Sequence, residues 1–300
     1  MTLELLASHT SFSGEQRLYR HYAETLHRPL ELAIYLPLTA LGEARPCDVL
    51  YYLPGLQTNA RLVASQSDYQ RYANRYDTIL VIPDLFNVYQ GDDIARANQF
   101  AREHAALAAY LQDELPAVLA THFSLKPGRG IMGYGFGGTL AIYHARTHPG
   151  SYHSASALAP WLAFMGTPWG DEHLARFNLP QHFDPNDWYA AHPDAPPLPL
   201  WIDQGSDDDH LGSKIRLDLF EATVATRIAR GEIWINWHPR YDHSFYFVHS
   251  HIREHFVFHS EQGALYSHPP KVSDKARRRR QYAAVRRGDA TPYEAFGGWL

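Results

Sequence analysis

The stretch RGIMGYGFGGTLAIYHARTHP, residues 129–149, places a short apolar run directly before a glycine-rich turn and a helical pattern. The run GIMG at 130–133 reads as a buried strand, and residues 138–148 have the apolar spacing of a helix. Glycine at 133 and 137 lets the strand and helix backbones approach closely. The segment therefore predicts the strand, sharp turn and helix of a nucleophile elbow.

The residue at the centre of this turn departs from the usual pattern. The G-x-S-x-G motif has serine there, and this chain has Gly135. The backbone N–H groups at the start of the following helix could still hold an oxyanion. A phosphate loop is a poorer interpretation because the Lys-Ser/Thr pair is missing, and a dinucleotide fingerprint does not fit the spacing.

Short apolar runs and helical patterns alternate on both sides of the elbow. The other predicted strands are 30–37, 48–55, 78–84, 156–160, 200–205 and 233–239, and the other predicted helices are 98–115, 213–230 and 244–259. This alternation predicts an α/β protein with a mostly parallel central sheet and helices on both faces. Pro116 and Pro149 are expected to end two of the helices, and Gly231 to cap a third.

Composition describes an ordinary globular chain. It has 300 residues, of which 45% are hydrophobic and 20% charged. The single cysteine, Cys47, excludes an internal disulfide and a cysteine-based zinc site. Neither a signal peptide nor a run of about 18 apolar residues is visible, so we expect a cytoplasmic protein that does not span a membrane.

Charge is distributed unevenly along the chain. Residues 261–300 carry eight Lys and Arg against four acids, a net +4, whereas residues 1–260 carry a net −9. We therefore predict two parts, one α/β domain at 1–260 and a basic C-terminal extension at 261–300. The acidic body disfavours nucleic-acid binding. The aromatic end of the extension favours docking onto an acidic surface, preferably that of a second copy in a homodimer.

Two later segments carry an acid and a histidine. WIDQGSDDDHL at 201–211 is a strand that runs into an acidic loop, and RYDHSFYF at 240–247 follows the last predicted strand. The chain order of elbow, acid and histidine is that of α/β-hydrolases. Asp208 could accept the Nδ1 proton of His243 and leave Nε2 directed at the elbow.

With these motifs, residues 1–260 resemble the S-formylglutathione hydrolase family, also called esterase D, of the α/β-hydrolase fold. The matching stretches are YLPGLQTN at 52–59, GYGFGG at 133–138, ALAP and TPWG within 157–170, WIDQGSDDDHL at 201–211 and RYDHSFYF at 240–247. The resemblance implies an oxyanion hole made by the N–H groups of Leu56 and Phe136, with Asp208 and His243 as acid and base. The residues expected to line the substrate pocket are Gln57, Tyr134, Trp161 and Trp169.

Departures from the family pattern bear on function. The family's His, Ser and Met at the elbow are Tyr134, Gly135 and Phe136 here, and its Thr-Cys-Asn after the oxyanion leucine is Gln-Thr-Asn at 57–59. Loss of a triad nucleophile typically costs about six orders of magnitude in turnover, so ordinary serine-esterase activity should be negligible. Three hypotheses remain: a remodelled enzyme with His243 as general base, a non-catalytic binder of a ligand or protein, and a hydrolase seen as a Ser-to-Gly variant.

A formal metalloprotease signature lies near the C-terminal end of the domain. His251-Ile252-Arg253-Glu254-His255 matches H-x-x-E-H, but a chain with nineteen histidines produces such matches by chance. We therefore predict no metal and no cofactor. The expected partner is a small-molecule substrate or ligand.

Overall fold

The computed structural model describes residues 2–42, 45–173 and 179–267. They form an α/β-hydrolase fold around a sheet with the order β1-β2-β3-β5-β4-β6-β7-β8-β9. The strands are β1 Glu4–Ser11, β2 Gly14–Ala23, β3 Arg28–Leu36, β4 Asp48–Leu53, β5 Thr78–Pro83, β6 Gly130–Tyr134, β7 Ser154–Leu158, β8 Leu200–Gly205 and β9 Ile233–His238. The pairs from β5 through β4 to β9 are parallel, and β1, β2 and β3 add an antiparallel edge that joins β5.

Helices cover both faces of this sheet. They are α1 Leu38–Gly42, α2 Ala60–Gln66, α3 Tyr69–Arg75, α4 Asp93–Ala109, α5 Leu115–His122, α6 Phe136–Thr147, α7 Pro168–His173, α8 Pro185–Ala191, α9 Leu217–Thr223, α10 Ala225–Ala229 and α11 Phe245–Ser267. Neighbouring residues of β6 show the two layers, because Ile131 belongs to the core that contains α6 and Met132 to the core that contains α11. The predicted fold class is confirmed.

All seven predicted strands are present, but β1 and β2 were missed. Their polar and exposed positions give no buried apolar run, because they lie at the edge of the sheet and are antiparallel. The expected helix at 213–230 is instead two short helices, α9 and α10, preceded by a turn. The turn comprises residues 213–216, and the N–H of Arg216 donates a hydrogen bond to the carbonyl of Leu162.

Pro116 does not end a helix as predicted. A π-helical turn, Tyr110–Glu114, follows α4, and Pro116 then occupies one of the first two positions of α5. A proline is tolerated there because its missing N–H would have no partner in the first turn of a helix. The other two predicted helix ends agree with the structure, since α6 ends at Thr147 and Gly231 follows α10 with a φ of 69°.

The predicted boundary at residue 260 falls inside α11, which continues to Ser267. Most of the basic extension, residues 268–300, lies outside the described residues, and with it the docking and homodimer predictions. Within the described part of the chain, no helix combines the length and the apolar character needed to cross a membrane.

Candidate active site

The elbow predicted from the sequence is a tight turn between β6 and α6. A Cβ atom on Gly133 would lie 2.2 Å from the carbonyl oxygen of Gly137, and one on Gly137 would lie 2.2 Å from that of Leu53. Only glycine fits at either position. Gly135 lies at the tip with φ 56° and ψ −127°, and its N–H donates to the carbonyl of Leu158 at 2.9 Å. Positive φ is strained for residues with a Cβ, as is common at functional turns.

His243 faces the tip of this elbow. A Cβ atom on Gly135 would point toward His243 and lie 3.4 Å from its Nε2. On the opposite side of the ring, Nδ1–H donates to Oδ2 of Asp208 at 2.8 Å. A carboxylate can only accept, so this bond fixes the proton on Nδ1 and leaves Nε2 free to take one.

Asp208 is held in its ionised form. Its carboxylate is buried and also accepts from the N–H of His210 at 2.9 Å and from Nε2 of Gln204 at 2.8 Å. Burial by itself would raise the pKa of Asp208, but the hydrogen bonds from His243, His210 and Gln204 outweigh it and hold the pKa below its usual range. The loop after β8 is therefore organised to orient and charge-stabilise His243.

A cleft with a volume of about 360 Å³ opens beside the elbow. Seven of the nine predicted site residues line this cleft: Leu56, Gln57, Tyr134, Gly135, Phe136, Trp161 and His243. Asp208 supports it from behind His243. Trp169 is not among the lining residues; its ring lies against that of Trp161, with the centroids 5.4 Å apart.

The N–H groups of Leu56 and Phe136 both lie at this cleft. Phe136 is the first residue of α6, so its N–H has no acceptor within the helix. The carbonyl group of Leu56 is held in place because Nη1 of Arg96 donates a hydrogen bond to it at 3.0 Å. The arrangement could hold a developing oxyanion, and the oxyanion-hole prediction for these two residues stays a prediction.

Aromatic side chains surround the histidine. The ring of Tyr134 lies 4.8 Å from that of His243, and the ring of His210 lies 4.5 Å from it. Burial, and then the proximity of His243 and Lys214, lower the pKa of His210. His210 is thus neutral at neutral pH and does not oppose protonation of His243. Phe136 points away from the histidine and packs against Phe100 and Trp161.

An ion pair at the cleft was missed from the sequence. Nζ of Lys214 donates to Oδ2 of Asp93 at 2.6 Å, and the Gln57 amide donates to Oδ1 of the same carboxylate at 2.7 Å. The lysine also lies 4.8 Å from the ring centre of Trp161. Lys214 and Asp93 are 121 positions apart, so no local pattern could have joined them. His210 had a local signal, since it stands where the resembling family's acid loop has phenylalanine.

Comparisons with known proteins agree with this fold. The fold together with the elbow, acid and histidine defines the chain as an α/β-hydrolase. A family model with the description "Esterase: Putative esterase" matches residues 23–259, and the chain belongs to this esterase family.

Solved structures extend the comparison. An S-formylglutathione hydrolase from Agrobacterium tumefaciens is similar at 27% identity with a TM-score of 0.74, over 86% of this chain and 99% of that one. An S-formylglutathione hydrolase from Staphylococcus aureus is 17% identical with a TM-score of 0.63, over 86% and 100% of the two chains. A ferulic acid esterase from Anaeromyces mucronatus is 16% identical with a TM-score of 0.61, over 84% and 92%. The last two likenesses concern the fold.

Proposed function

We propose that this chain is an esterase-family enzyme in which His243, oriented by Asp208, acts as general base on a nucleophile that residue 135 does not supply. One observation carries the proposal: His243 Nε2 lies 3.4 Å from the position of a Cβ on Gly135, while its Nδ1 keeps the 2.8 Å bond to Asp208. The base and its orienting acid are in working geometry, and glycine has no hydroxyl. A protein that only binds a ligand needs neither the base nor its acid.

Water is the simplest nucleophile for this arrangement. A water molecule hydrogen-bonded to Nε2 attacks the acyl carbon of an ester or thioester, and its proton passes to Nε2. The carbonyl oxygen becomes an oxyanion, for which the N–H groups of Leu56 and Phe136 are the donors. The tetrahedral intermediate then expels the alcohol or thiol, which takes the proton back from His243. No acyl-enzyme forms in this sequence.

The substrate class follows from the walls of the cleft. Phe136 and Trp161 are apolar, and the ion pair of Asp93 and Lys214 places fixed charges beside Trp161. We propose a small carboxylic ester or thioester with an apolar acyl group. The 27% identity with an S-formylglutathione hydrolase supports the thioester among these.

Transient kinetics with p-nitrophenyl acetate and a short acyl thioester test the proposal. The wild type is expected to turn over slowly without an initial burst, because no covalent intermediate accumulates. His243→Gln should abolish this turnover, while His249→Gln, a change at an exposed histidine on α11, should leave it intact.

Two other hypotheses predict different results. A non-catalytic binder would show no turnover above that of His243→Gln with any ester. A serine hydrolase represented here by a Ser-to-Gly variant would show none in the wild type but a full burst in Gly135→Ser, with rates in the range of ordinary esterases. Either result would contradict the proposed mechanism.

A further inference from the structure

A second group of histidines surrounds an aspartate outside the cleft. Asp203 lies on β8, His238 is the last residue of β9, and His251 lies on α11. One ligand atom from each of these three side chains lies within 4.8 Å of the other two. We propose that Asp203, His238 and His251 form a binding site for a divalent transition-metal ion, with Zn²⁺ as the reference ion.

The distances suit a small metal ion. Nε2 of His238 lies 3.3 Å from Oδ1 of Asp203. Ligand atoms about 2.0–2.1 Å from a tetrahedral Zn²⁺ are about 3.3 Å from one another. The rings of His238 and His251 lie 3.6 Å apart between centroids. Neutral imidazole is the form that binds metal.

Buried polar atoms at this place lack hydrogen-bond partners. Within the described ranges, Asp203 Oδ2 and the Nε2 atoms of His238, His251 and His255 are all buried and make no hydrogen bond of acceptable geometry, although His238 and His255 lie within ion-pair distance of the Asp203 carboxylate. Asp203 is about 1% exposed. A buried polar group without a partner costs about 1–3 kcal/mol. Several such atoms so close together are unusual in a folded protein, and a cation shared by Asp203, His238 and His251 would satisfy three of them.

The carboxylate is also oriented as metal-binding carboxylates are. Nε1 of Trp201 donates to Asp203 Oδ1 at 3.0 Å, and Nδ2 of Asn236 donates to the same oxygen at 2.7 Å. His255 lies one helical turn after His251, with its Nε2 3.2 Å from Asp203 Oδ2. Outer partners of this kind fix the orientation of a ligand and typically raise metal affinity 10- to 100-fold.

The proposed site gives the histidines of the H-x-x-E-H segment roles different from those in a metalloprotease signature. His251 is a proposed ligand, and His255 is fully buried behind Asp203 with its Nδ1 at 2.7 Å from the Ser156 hydroxyl. No metal was predicted from the sequence, because a chain with nineteen histidines matches this pattern by chance. The third and fourth partners come from β8 and β9, which the sequence does not place beside α11.

Donor chemistry and access select the class of ion. Two imidazoles and one carboxylate suit Zn²⁺, Fe²⁺, Ni²⁺ or Cu²⁺ and not Mg²⁺ or Ca²⁺, which prefer oxygen ligands. The side chain of His238 is 22% exposed while its Nε2 is buried, so the site lies just beneath the surface. Bound metal would tie β8, β9 and α11 together around the loop that carries His243. The N–H of Ser206 already donates to the His238 carbonyl in that region.

Metal titration of the full-length protein after chelator treatment tests the proposal. Zn²⁺ should bind with one high-affinity equivalent by calorimetry and raise the melting temperature, because the ion stabilises the folded state. Co²⁺ in its place should show the visible absorption of a four-coordinate ion. His238→Gln and His251→Gln should each weaken binding more than tenfold. His249→Gln, two residues away on the same helix and exposed, should bind as the wild type does.

Several outcomes would overturn the site. One is the absence of Zn²⁺ binding to the wild type; another is binding that survives unchanged in both His238→Gln and His251→Gln, which would place the metal elsewhere among the histidines. The Co²⁺ spectrum of the wild type keeps the proposal testable if a variant does not fold. An octahedral, weakly absorbing Co²⁺ complex would contradict the three-ligand site. None of these results bears on catalysis by His243.

Discussion

The chain contains two Asp–His pairs whose members have the same spacing. The aspartates, Asp203 and Asp208, are five residues apart, and so are their partners, His238 and His243. Asp203 faces His238 across β8 and β9, and Asp208 faces His243 in the loops that follow those strands. The first pair lies within the fold under α11, where two more histidines join it. The second pair opens onto a cleft, and only His243 is directed at the elbow.

The difference shows how position along a strand decides what an Asp–His pair can do. At the carboxyl end of a parallel sheet, the loops leave the histidine with a free Nε2 and a path for substrate. Within the strands, the same residue types are enclosed and can only bind one another or an ion. The predictions below test this contrast between the cleft pair and the enclosed pair.

The largest effect is expected at the cleft pair. Asp208→Asn keeps the shape of the side chain but no longer fixes the proton on Nδ1 of His243, and the equivalent change in a serine protease lowers kcat about 10⁴-fold. We expect a loss of that order in ester turnover, measured by steady-state kinetics. The matched control is Asp207→Asn, an exposed neighbour in the same loop. Equal loss in both variants would contradict the assignment of Asp208.

The enclosed pair should affect stability instead. Asp203→Ala leaves Trp201, Asn236 and the histidines without their common acceptor, and loss of one partner of a buried charged group costs about 3–5 kcal/mol. Urea unfolding should show a lower free energy of unfolding by that amount. Asp207→Ala, on the surface, should change it by less than about 0.5 kcal/mol. A small effect of Asp203→Ala would mean that the enclosed pair does not hold β8, β9 and α11 together.

A change at the elbow should cost less. Gly135→Ser introduces a Cβ at φ 56°, a conformation that costs about 1–3 kcal/mol for such a residue. Thermal melts should therefore show a lower melting temperature for this variant. Gly42→Ser, at a position without positive φ where a Cβ would meet Leu38 Cδ1 at an ordinary contact distance of 4.0 Å, provides the comparison. An equal or higher melting temperature for Gly135→Ser would argue against the strained elbow conformation.

The smallest effect at neutral pH is expected from a buried histidine, His144. Burial, with smaller contributions from His148 and His104, lowers the pKa of His144 from 6.5 to about 3. The unfolded chain therefore binds this proton first as pH falls, and stability is lost between pH 6.5 and about 3. His144→Leu should flatten this decline by up to about 1.4 kcal/mol per pH unit, measured by unfolding at several pH values. An unchanged profile would contradict a neutral, buried His144.

The sequence predicts the parts of the molecule that have a local signal. Gly133 and Gly137 predicted the elbow, and the apolar runs predicted seven strands. Contacts between residues far apart in the sequence could not be predicted, because no local pattern joins Lys214 to Asp93 or Asp203 to His251. The helix end predicted at Pro116 was also wrong, because a π-helical turn just before the proline removes the clash that normally ends a helix.

The central claim is that His243 activates a nucleophile that is not part of the protein, and intact-mass spectrometry during turnover of p-nitrophenyl acetate tests it most directly. The account predicts that the wild type hydrolyses the ester without gaining the mass of an acetyl group, and that Gly135→Ser shows no burst of acetylation at residue 135. Thr58, Tyr134 and Ser244 are the hydroxyl-bearing side chains that line the described cleft. An acetyl group on any of the three in the wild type, at a rate that accounts for turnover, would contradict the account.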